Sequence, residues 1–389
     1  MSQQNKGFRA LSILSYVGLL SVVAVSPAAR ADAPVLPVDF EATNVADVLS
    51  NVHGGLTRET RILDKADITA TFAGDDHGLA GWSGFVDLQA TTAADFGGVV
   101  AGTFQGISNI DAPAGVRILD AWLAYGVEGT GGFKAGILDL NSEFDVTQTA
   151  VLFLNPSHGI GPDFAQSGEN GPSIFPNPGL GLVGYWMPGD HWQLKAGVFE
   201  GTAGDPAHPG RESIALTGHE GALFAAEARY RPAPKWVLSL GGWAYTAAFD
   251  TLAGGSSHGN AGIYAMTEAK LLTVEGHDDQ GLDGWLRVGF ANSAINPVEA
   301  YAGGGVVYTG VFSDADQAGF AVAAARMGDA AKTSLGLGDG ETTLEATYAY
   351  TVFDWLTVQP DFQYVISPGA DPTLDDAFVI GSRISLTWN

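Results

Sequence analysis

Three short stretches of the sequence carry residue types that enzymes use. Gly255-Ser256-Ser257-His258-Gly259 matches the G-x-S-x-G pattern of a nucleophilic serine, but that serine needs a strand before it and a helix after it, and this match lies in a Gly/Ser loop. The acidic stretches 277–279 and 337–341 lack the ligand spacing of a calcium loop or of an H-E-x-x-H site, and solvated turns account for them. No nucleophile, base and orienting group are assembled, so we expect no enzyme, no cofactor and no metal site.

The composition excludes further classes of protein. The 389 residues include 18 Lys plus Arg against 43 Asp plus Glu, a formal net charge of −25, so the chain cannot hold nucleic acid by neutralising phosphates. It has no cysteine, which removes thiol catalysis, disulfides and Cys-ligated metals. With 53 glycines and only 16% charged residues, a β-rich protein is favoured over a disordered acidic chain or a helical bundle.

The N-terminus predicts export from the cytoplasm. Lys6 and Arg9 precede an apolar run over residues 10–25, and Ala29-Arg30-Ala31 places small residues at both positions that a signal peptidase reads. We therefore expect a signal peptide over residues 1–31; the alternative, a retained membrane anchor, has a run that is short for a span. No later apolar run approaches the length of a membrane helix, which excludes a helical membrane protein.

Two parts follow the signal peptide. Residues 32–53 read as a leader with one short periplasmic helix over Asn44–Val52, because Asn44 is a good N-cap, apolar residues follow at helical spacing, and Gly54 is a stop signal. Residues 54–389 read as strands with period-2 alternation, most clearly over 356–364 and 378–388.

About sixteen candidate strands can be counted in that second part, the first beginning near Gly54. The connections after even-numbered strands are short, whereas those after odd-numbered strands are mostly long, as a membrane barrel with both termini in the periplasm requires. A soluble sandwich also alternates, but it has no reason to segregate loop lengths by parity. Many Trp and Tyr residues fall near strand ends, where an amphipathic ring lies at the lipid headgroups.

The longest connection, Leu140 to Pro178, follows the fifth predicted strand and contains four Phe residues, too much apolar ring for a loop in water. We expect it to fold into the barrel and narrow it, with a packed external lid as the alternative. Its acids would face bases on the inner wall, with an aromatic ring to cover the apolar face of a sugar; solvated wall charges are the other interpretation. The candidate pore-lining and sugar-binding residues are Trp122, Lys134, Glu143, Asp145, Glu169, Lys195, Arg229 and Arg287.

Several motifs resemble those of a known family. They include Asn51-Val52-His53-Gly54-Gly55-Leu56, Gly106-Ile107-Ser108-Asn109-Ile110, Ala135-Gly136-Ile137-Leu138-Asp139 and Gln359-Pro360-Asp361-Phe362-Gln363-Tyr364-Val365. With these motifs the chain from about Val45 to Asn389 resembles the bacterial OprB-type carbohydrate-selective porins. The resemblance implies a sixteen-stranded outer-membrane barrel through which small sugars diffuse.

We therefore expect an all-β fold, a transmembrane antiparallel barrel of about sixteen strands with a short N-terminal helix and a long inward loop after strand 5. The expected function is that of an outer-membrane porin for passive diffusion of small carbohydrates. A secreted periplasmic β-rich polysaccharide-binding protein or hydrolase is the alternative. The expected partners are small sugars as solutes, outer-membrane lipid and lipopolysaccharide, the barrel-assembly machinery and, as an open question, further copies of the chain.

Overall fold

The computed structural model describes residues 38–74, 78–205, 221–233 and 235–388, so the expected signal peptide lies outside the described residues. Within these ranges sixteen antiparallel strands each pair with the next, and the first pairs with the last, which closes the sheet into a barrel. The predicted all-β fold, an antiparallel barrel of sixteen strands, is therefore confirmed. No helix in this part of the chain is long and apolar enough to cross a membrane.

The strands are β1 (Val38–His53), β2 (Thr60–Ala73), β3 (Trp82–Thr91), β4 (Gly115–Val127), β5 (Gly131–Leu138), β6 (Gly179–Trp186), β7 (Trp192–Glu200), β8 (Ala222–Ala233), β9 (Trp236–Asp250), β10 (Ser256–Val274), β11 (His277–Ala291), β12 (Val298–Thr309), β13 (Gln317–Met327), β14 (Gly340–Phe353), β15 (Leu356–Ile366) and β16 (Ala377–Trp388). Two short helices, α1 (Pro162–Ala165) and α2 (Asp329–Leu335), lie in connections. Single helical turns occur at Gly97–Ala101, Leu140–Ser142, Gln148–Leu152, Pro156–His158 and Pro368–Ala370.

The outer surface of the barrel is apolar. Outward-facing side chains such as Ile62, Leu240, Ile263 and Leu286 are exposed, while the polar residues that alternate with them point inward. This is the reverse of a soluble protein and fits a wall whose outside meets lipid. The tryptophans predicted near strand ends are also exposed. They form part of a girdle of aromatic side chains near one rim: Trp82, Trp192, Trp236, Trp355 and Trp388.

The connections divide between the two rims largely as the sequence predicted. The rim that carries the aromatic girdle has short turns, such as 128–130, 187–191, 275–276 and 354–355. The opposite rim has the long connections, 92–114, 139–178 and 201–221, although 251–255 and 292–297 on that side are short too. We call these the short-turn rim and the long-loop rim.

The expectation of a helix over Asn44–Val52 is wrong, because these residues belong to β1. Among the described residues the barrel accordingly includes Val38–His53, ahead of the expected start at Gly54, and Gly54 instead opens the turn into β2 with a φ of 59°. The segment pairs with β2 on one side and β16 on the other, and Asp47 lies directly opposite Arg383 in the register. A helix there would leave two strand edges unpaired inside a membrane, which costs far more than a helical preference contributes.

Candidate permeation site

The connection after β5, residues 139–178, is called here the long loop. It packs against the inner face of strands on the far side of the barrel: the Phe164 ring stacks on Trp243 at 5.1 Å between centroids, and the Tyr301 hydroxyl donates to the carbonyl of Ser157 at 2.7 Å. Trp243 and Tyr301 lie on β9 and β12. The loop therefore crosses the lumen, and three of its four phenylalanines, Phe144, Phe153 and Phe164, are buried packing groups.

Inward-facing glutamates of the wall hold this loop by its backbone. Glu345 accepts hydrogen bonds from the Leu154 and Asn155 N–H groups at 2.6 and 3.1 Å, and Glu268 accepts one from the Thr149 N–H at 2.8 Å. A carboxylate that accepts several backbone N–H groups satisfies donors that an irregular segment would otherwise bury unpaired. Both glutamates lie on strands, Glu268 on β10 and Glu345 on β14, so the wall itself fixes the position of the loop.

Arg287 on β11 anchors the same loop. Its guanidinium donates to Asp145 at 3.0 and 2.7 Å and forms a second ion pair with Asp163, and only 3% of the residue is exposed. The expectation that Arg287 lines the pore and binds sugar is therefore not supported by the arrangement, because the long loop covers it. A sugar in the channel has no access to a guanidinium that is enclosed by two carboxylates.

A second contact joins the beginning of the long loop to β5 and β7. The Glu143 carboxylate accepts a hydrogen bond from the Lys195 ammonium at 2.9 Å and another from Lys134. Burial raises the pKa of Glu143, whereas the ammonium groups of Lys195 and Lys134 lower it. The two ammonium groups outweigh burial, so the pKa of Glu143 lies below its ordinary value. This cluster is partly exposed to the lumen, and its two ion pairs join the loop to the barrel wall.

Trp122 adjoins this cluster but does not offer a free ring face. The Lys134 ammonium lies 4.3 Å from its ring centroid, and on β3 the Phe85 ring stacks with it at 5.6 Å. The expectation that Trp122 covers the apolar face of a sugar is therefore not supported by the arrangement. Its observed contact is a cation–π interaction that positions Lys134.

The two remaining candidate residues lie elsewhere. Arg229 on β8 donates to the carbonyl of Val146 at 3.1 Å and lies 3.5 Å from Glu227. Glu169 is exposed near the other end of the long loop, where it accepts a hydrogen bond from Thr202 at 3.3 Å. The structure thus brings Trp122, Lys134, Glu143 and Lys195 together, pairs Asp145 with Arg287, and leaves Glu169 apart.

Sequence reasoning missed the contribution of the connection between β3 and β4, residues 92–114, called here the companion loop. Ser108 donates to Asp47 at 2.6 Å, the Asn109 side chain accepts from Arg383 at 2.7 Å, and the Asn109 N–H donates to the Leu154 carbonyl at 2.7 Å. The companion loop therefore joins the β1–β16 seam to the long loop. Its Gly106-Ile107-Ser108-Asn109-Ile110 motif was the available signal.

A cavity of about 770 Å³ lies between the two loops on the long-loop side, called here the mouth cavity. Amides, carboxylates and two aromatic rings line it, among them Asp95, Asp111, Asp139, Asn141, Gln166 and Phe175. Burial, followed by the negative charge of Asp120, raises the pKa of Asp139 to about 7. In the described ranges, no group of three or more His, Asp or Glu side chains is placed to hold a metal ion.

The barrel is closed, and it has an apolar outer band, an aromatic girdle and a polar interior that inserted loops narrow. These features define an outer-membrane porin, and its place is the bacterial outer membrane. The alternative of a soluble periplasmic binding protein or hydrolase is wrong, because such a protein would not expose an apolar belt around its whole circumference.

Comparison with known proteins defines the family. Residues 68–388 match the model of the carbohydrate-selective porin, OprB family, and the chain belongs to that family. Porin B of Pseudomonas aeruginosa is 28% identical over 154 residues, an alignment that spans 34% of this chain and 33% of that relative. Only a third of that relative's length is therefore matched.

Solved structures share the fold. The high-pH structure of Pseudomonas putida OprB superposes with a TM-score of 0.81 at 20% identity and covers 90% of this chain and 94% of that one. The outer-membrane channel DcaP of Acinetobacter baumannii superposes at 0.58 with 10% identity, covering 90% and 97%. The predicted resemblance to the carbohydrate-selective porins and the predicted barrel are thereby confirmed. The family and the fold together define a channel.

Proposed function

We propose that this porin passes small carbohydrates across the outer membrane by passive diffusion, with no chemical step and no cofactor. The family match carries the proposal. The mouth cavity supports it, because its volume lies within the range of about 300–1,000 Å³ that is common for small-molecule sites.

The chemistry of the mouth cavity suits a polyhydroxylated solute. The exposed amide of Gln166 has donors and an acceptor, the Asp139 carboxylate accepts, and the Phe175 ring supplies an apolar surface. A sugar ring has hydroxyl groups at its edge and apolar C–H faces, so it can exchange water for these groups at little cost. Weak, exchangeable contacts favour passage, because tight binding would hold the solute.

The expected route continues past the Lys134–Glu143–Lys195 cluster and Arg229 toward the short-turn rim. In this proposal Trp122 positions Lys134, whereas Asp145 and Arg287 fix the long loop and Glu169 lies at the loop's outer end. The proposal also includes a signal peptide over residues 1–31, contact with lipopolysaccharide, insertion by the barrel-assembly machinery and, for the assembly state, either a single chain or a homo-oligomer.

Liposome swelling tests the proposal. Vesicles with the purified full chain, freed of its signal peptide, should swell at rates that fall from glyceraldehyde-sized solutes through hexoses to trisaccharides. Protein-free vesicles and vesicles with heat-unfolded chain are the controls. Ion conductance without any hexose-dependent swelling would contradict a sugar channel.

A further inference from the structure

The outer face of the barrel contains a groove of about 380 Å³ across β9 to β13, called here the wall groove. Large apolar side chains that are exposed on the outer face form its sides: Trp236, Leu271, Leu286 and Phe320. Among the described residues that line it, Thr267 carries the one hydroxyl group and none is charged. The wall groove therefore belongs to the lipid-facing surface and not to the channel.

The pairing of the strands explains why the wall is concave here. In the register Trp236 lies opposite Ala269, Ala269 opposite Gly284, Gly284 opposite Val306 and Val306 opposite Phe320. These residues form one row across the sheet, with a large ring at each end and small residues between them. Directly opposite residues lie on the same face of a sheet, so the small residues leave a depression between the two rings.

The floor of the wall groove is closely walled in. Ala269 follows Glu268, whose carboxylate holds the long loop inside the barrel, so the Ala269 methyl group faces outward. Nevertheless only 8% of Ala269 is exposed. At Gly284 an added Cβ would lie 2.8 Å from Cδ1 of Leu271, which lies over the floor. The small residues and the large ones around them therefore define one shape.

Hydrocarbon fits such a groove at this place. Water finds no hydrogen-bond partners on apolar walls, and a sugar would leave its hydroxyl groups unpaired there. A lipid chain gains no hydrophobic energy by leaving the surrounding lipid, so a site in a membrane wall is defined by van der Waals contact. A chain in a groove touches protein along its sides as well as its base, whereas the convex wall of a second barrel cannot fill a depression.

The position of Trp236 identifies the leaflet. Trp236 is the first residue of β9 and belongs to the aromatic girdle of the short-turn rim, the level at which lipid headgroups lie. Strands of outer-membrane barrels tilt by about 35–45°, so a row perpendicular to them slants from the girdle into the wall, as an acyl chain does from its headgroup. Short turns lie on the periplasmic side, where the membrane leaflet consists of glycerophospholipid and not of lipopolysaccharide.

We propose that the wall groove binds one acyl chain of a glycerophospholipid from the periplasmic leaflet. This site lies outside the lumen, and it does not depend on which solute the channel passes.

Photo-crosslinking and native mass spectrometry test the site. The purified full chain, freed of its signal peptide, is reconstituted with a phosphatidylglycerol that carries a diazirine on one acyl chain, then irradiated and digested. Ala269→Phe fills the groove from its floor. Ala302→Phe places the same ring on the exposed outer face of β12, outside the groove, and is the matched control.

In the wild type, crosslinks should be enriched on Leu271 and Phe320 relative to Phe224 and Phe362, which are exposed to the same extent elsewhere on the wall. Native spectra should show one phospholipid retained on the wild type and on Ala302→Phe, and its loss from Ala269→Phe. Phe320→Ala removes one end of the groove without adding bulk and should weaken retention too. Heat-dependent mobility in detergent gels shows which variants are folded.

An even distribution of crosslinks over the four positions, or equal retention of phospholipid by the wild type and Ala269→Phe, would overturn the proposal. If Ala269→Phe does not fold, equal retention by the wild type and Phe320→Ala has the same meaning. A dimer in the native spectra that either groove variant abolishes would also overturn it, since the occupant would then be a second copy of the chain. None of these results alters the sugar-entry test of the proposed function.

Discussion

Replacing Arg287 with alanine should release the long loop from the wall without unfolding the barrel. Arg287 is the shared partner of Asp145 and Asp163, both of which are almost fully buried. The sixteen strands are held by their own continuous backbone pairing, which does not involve this side chain. The loss of the guanidinium therefore destabilises the docked position of the loop and not the barrel. The two carboxylates that lose their partner reach water when the loop moves away from the wall.

The magnitude follows from the burial of the three groups. Breaking a buried ion pair by removing one partner costs about 3–5 kcal/mol, because a charge is left without compensation. At about 1.4 kcal/mol for each factor of ten, the equilibrium between docked and released loop shifts toward release by about two to four orders of magnitude. The triple change Arg287→Met/Asp145→Asn/Asp163→Asn removes the charges together and should cost little.

Single-channel recording measures the outcome. Arg287→Ala should show larger or fluctuating conductance, whereas the triple variant should stay close to the wild type. Heat-dependent mobility in detergent gels reports whether the barrel itself is folded. A folded Arg287→Ala barrel with wild-type conductance and a quiet current would refute the reasoning and would mean that the hydrogen bonds from Glu345 and Glu268 hold the loop unaided.

Three further outcomes are expected. The cation-to-anion permeability ratio should rise between pH 6 and pH 8, because Asp139, whose pKa is about 7, is neutral below that value and charged above it; Asp139→Asn should flatten this dependence in reversal-potential measurements. Deleting part of residues 157–170 should raise conductance for all solutes in planar bilayers, and unchanged conductance would mean that this part of the loop does not narrow the pore. An epitope tag within 254–259 should bind antibody on intact cells, whereas one at 232–234 should not, and the opposite pattern would mean an inverted barrel.

The sequence by itself determined the barrel because the signals for it are local. Side chains on a strand alternate with period 2, so Gln359, Asp361 and Gln363 had to face one side and Phe362 and Tyr364 the other. The cost of a charge in lipid then fixed which side was inward. Loop lengths fixed the two rims, and the sequence motifs indicated the family.

The first strand could not be assigned from local pattern. Val45, Val48, Leu49 and Val52 satisfy a helical stripe, and valine also suits a strand. Pairing with β2 and β16, whose residues are far along the chain, decided in favour of a strand. Register across the closing seam is a property of the whole barrel, and a sequence window does not contain it.

Only the tertiary structure decided which inward charges meet the channel. Arg287 and Arg229 both point inward by alternation, but the long loop encloses the first and leaves the second partly exposed. Trp122 has the residue type that stacks on sugars, yet Lys134 from the adjacent strand lies over its ring. Exposure in a barrel depends on where the inserted loops lie, and these loops are positioned by contacts between residues more than a hundred positions apart.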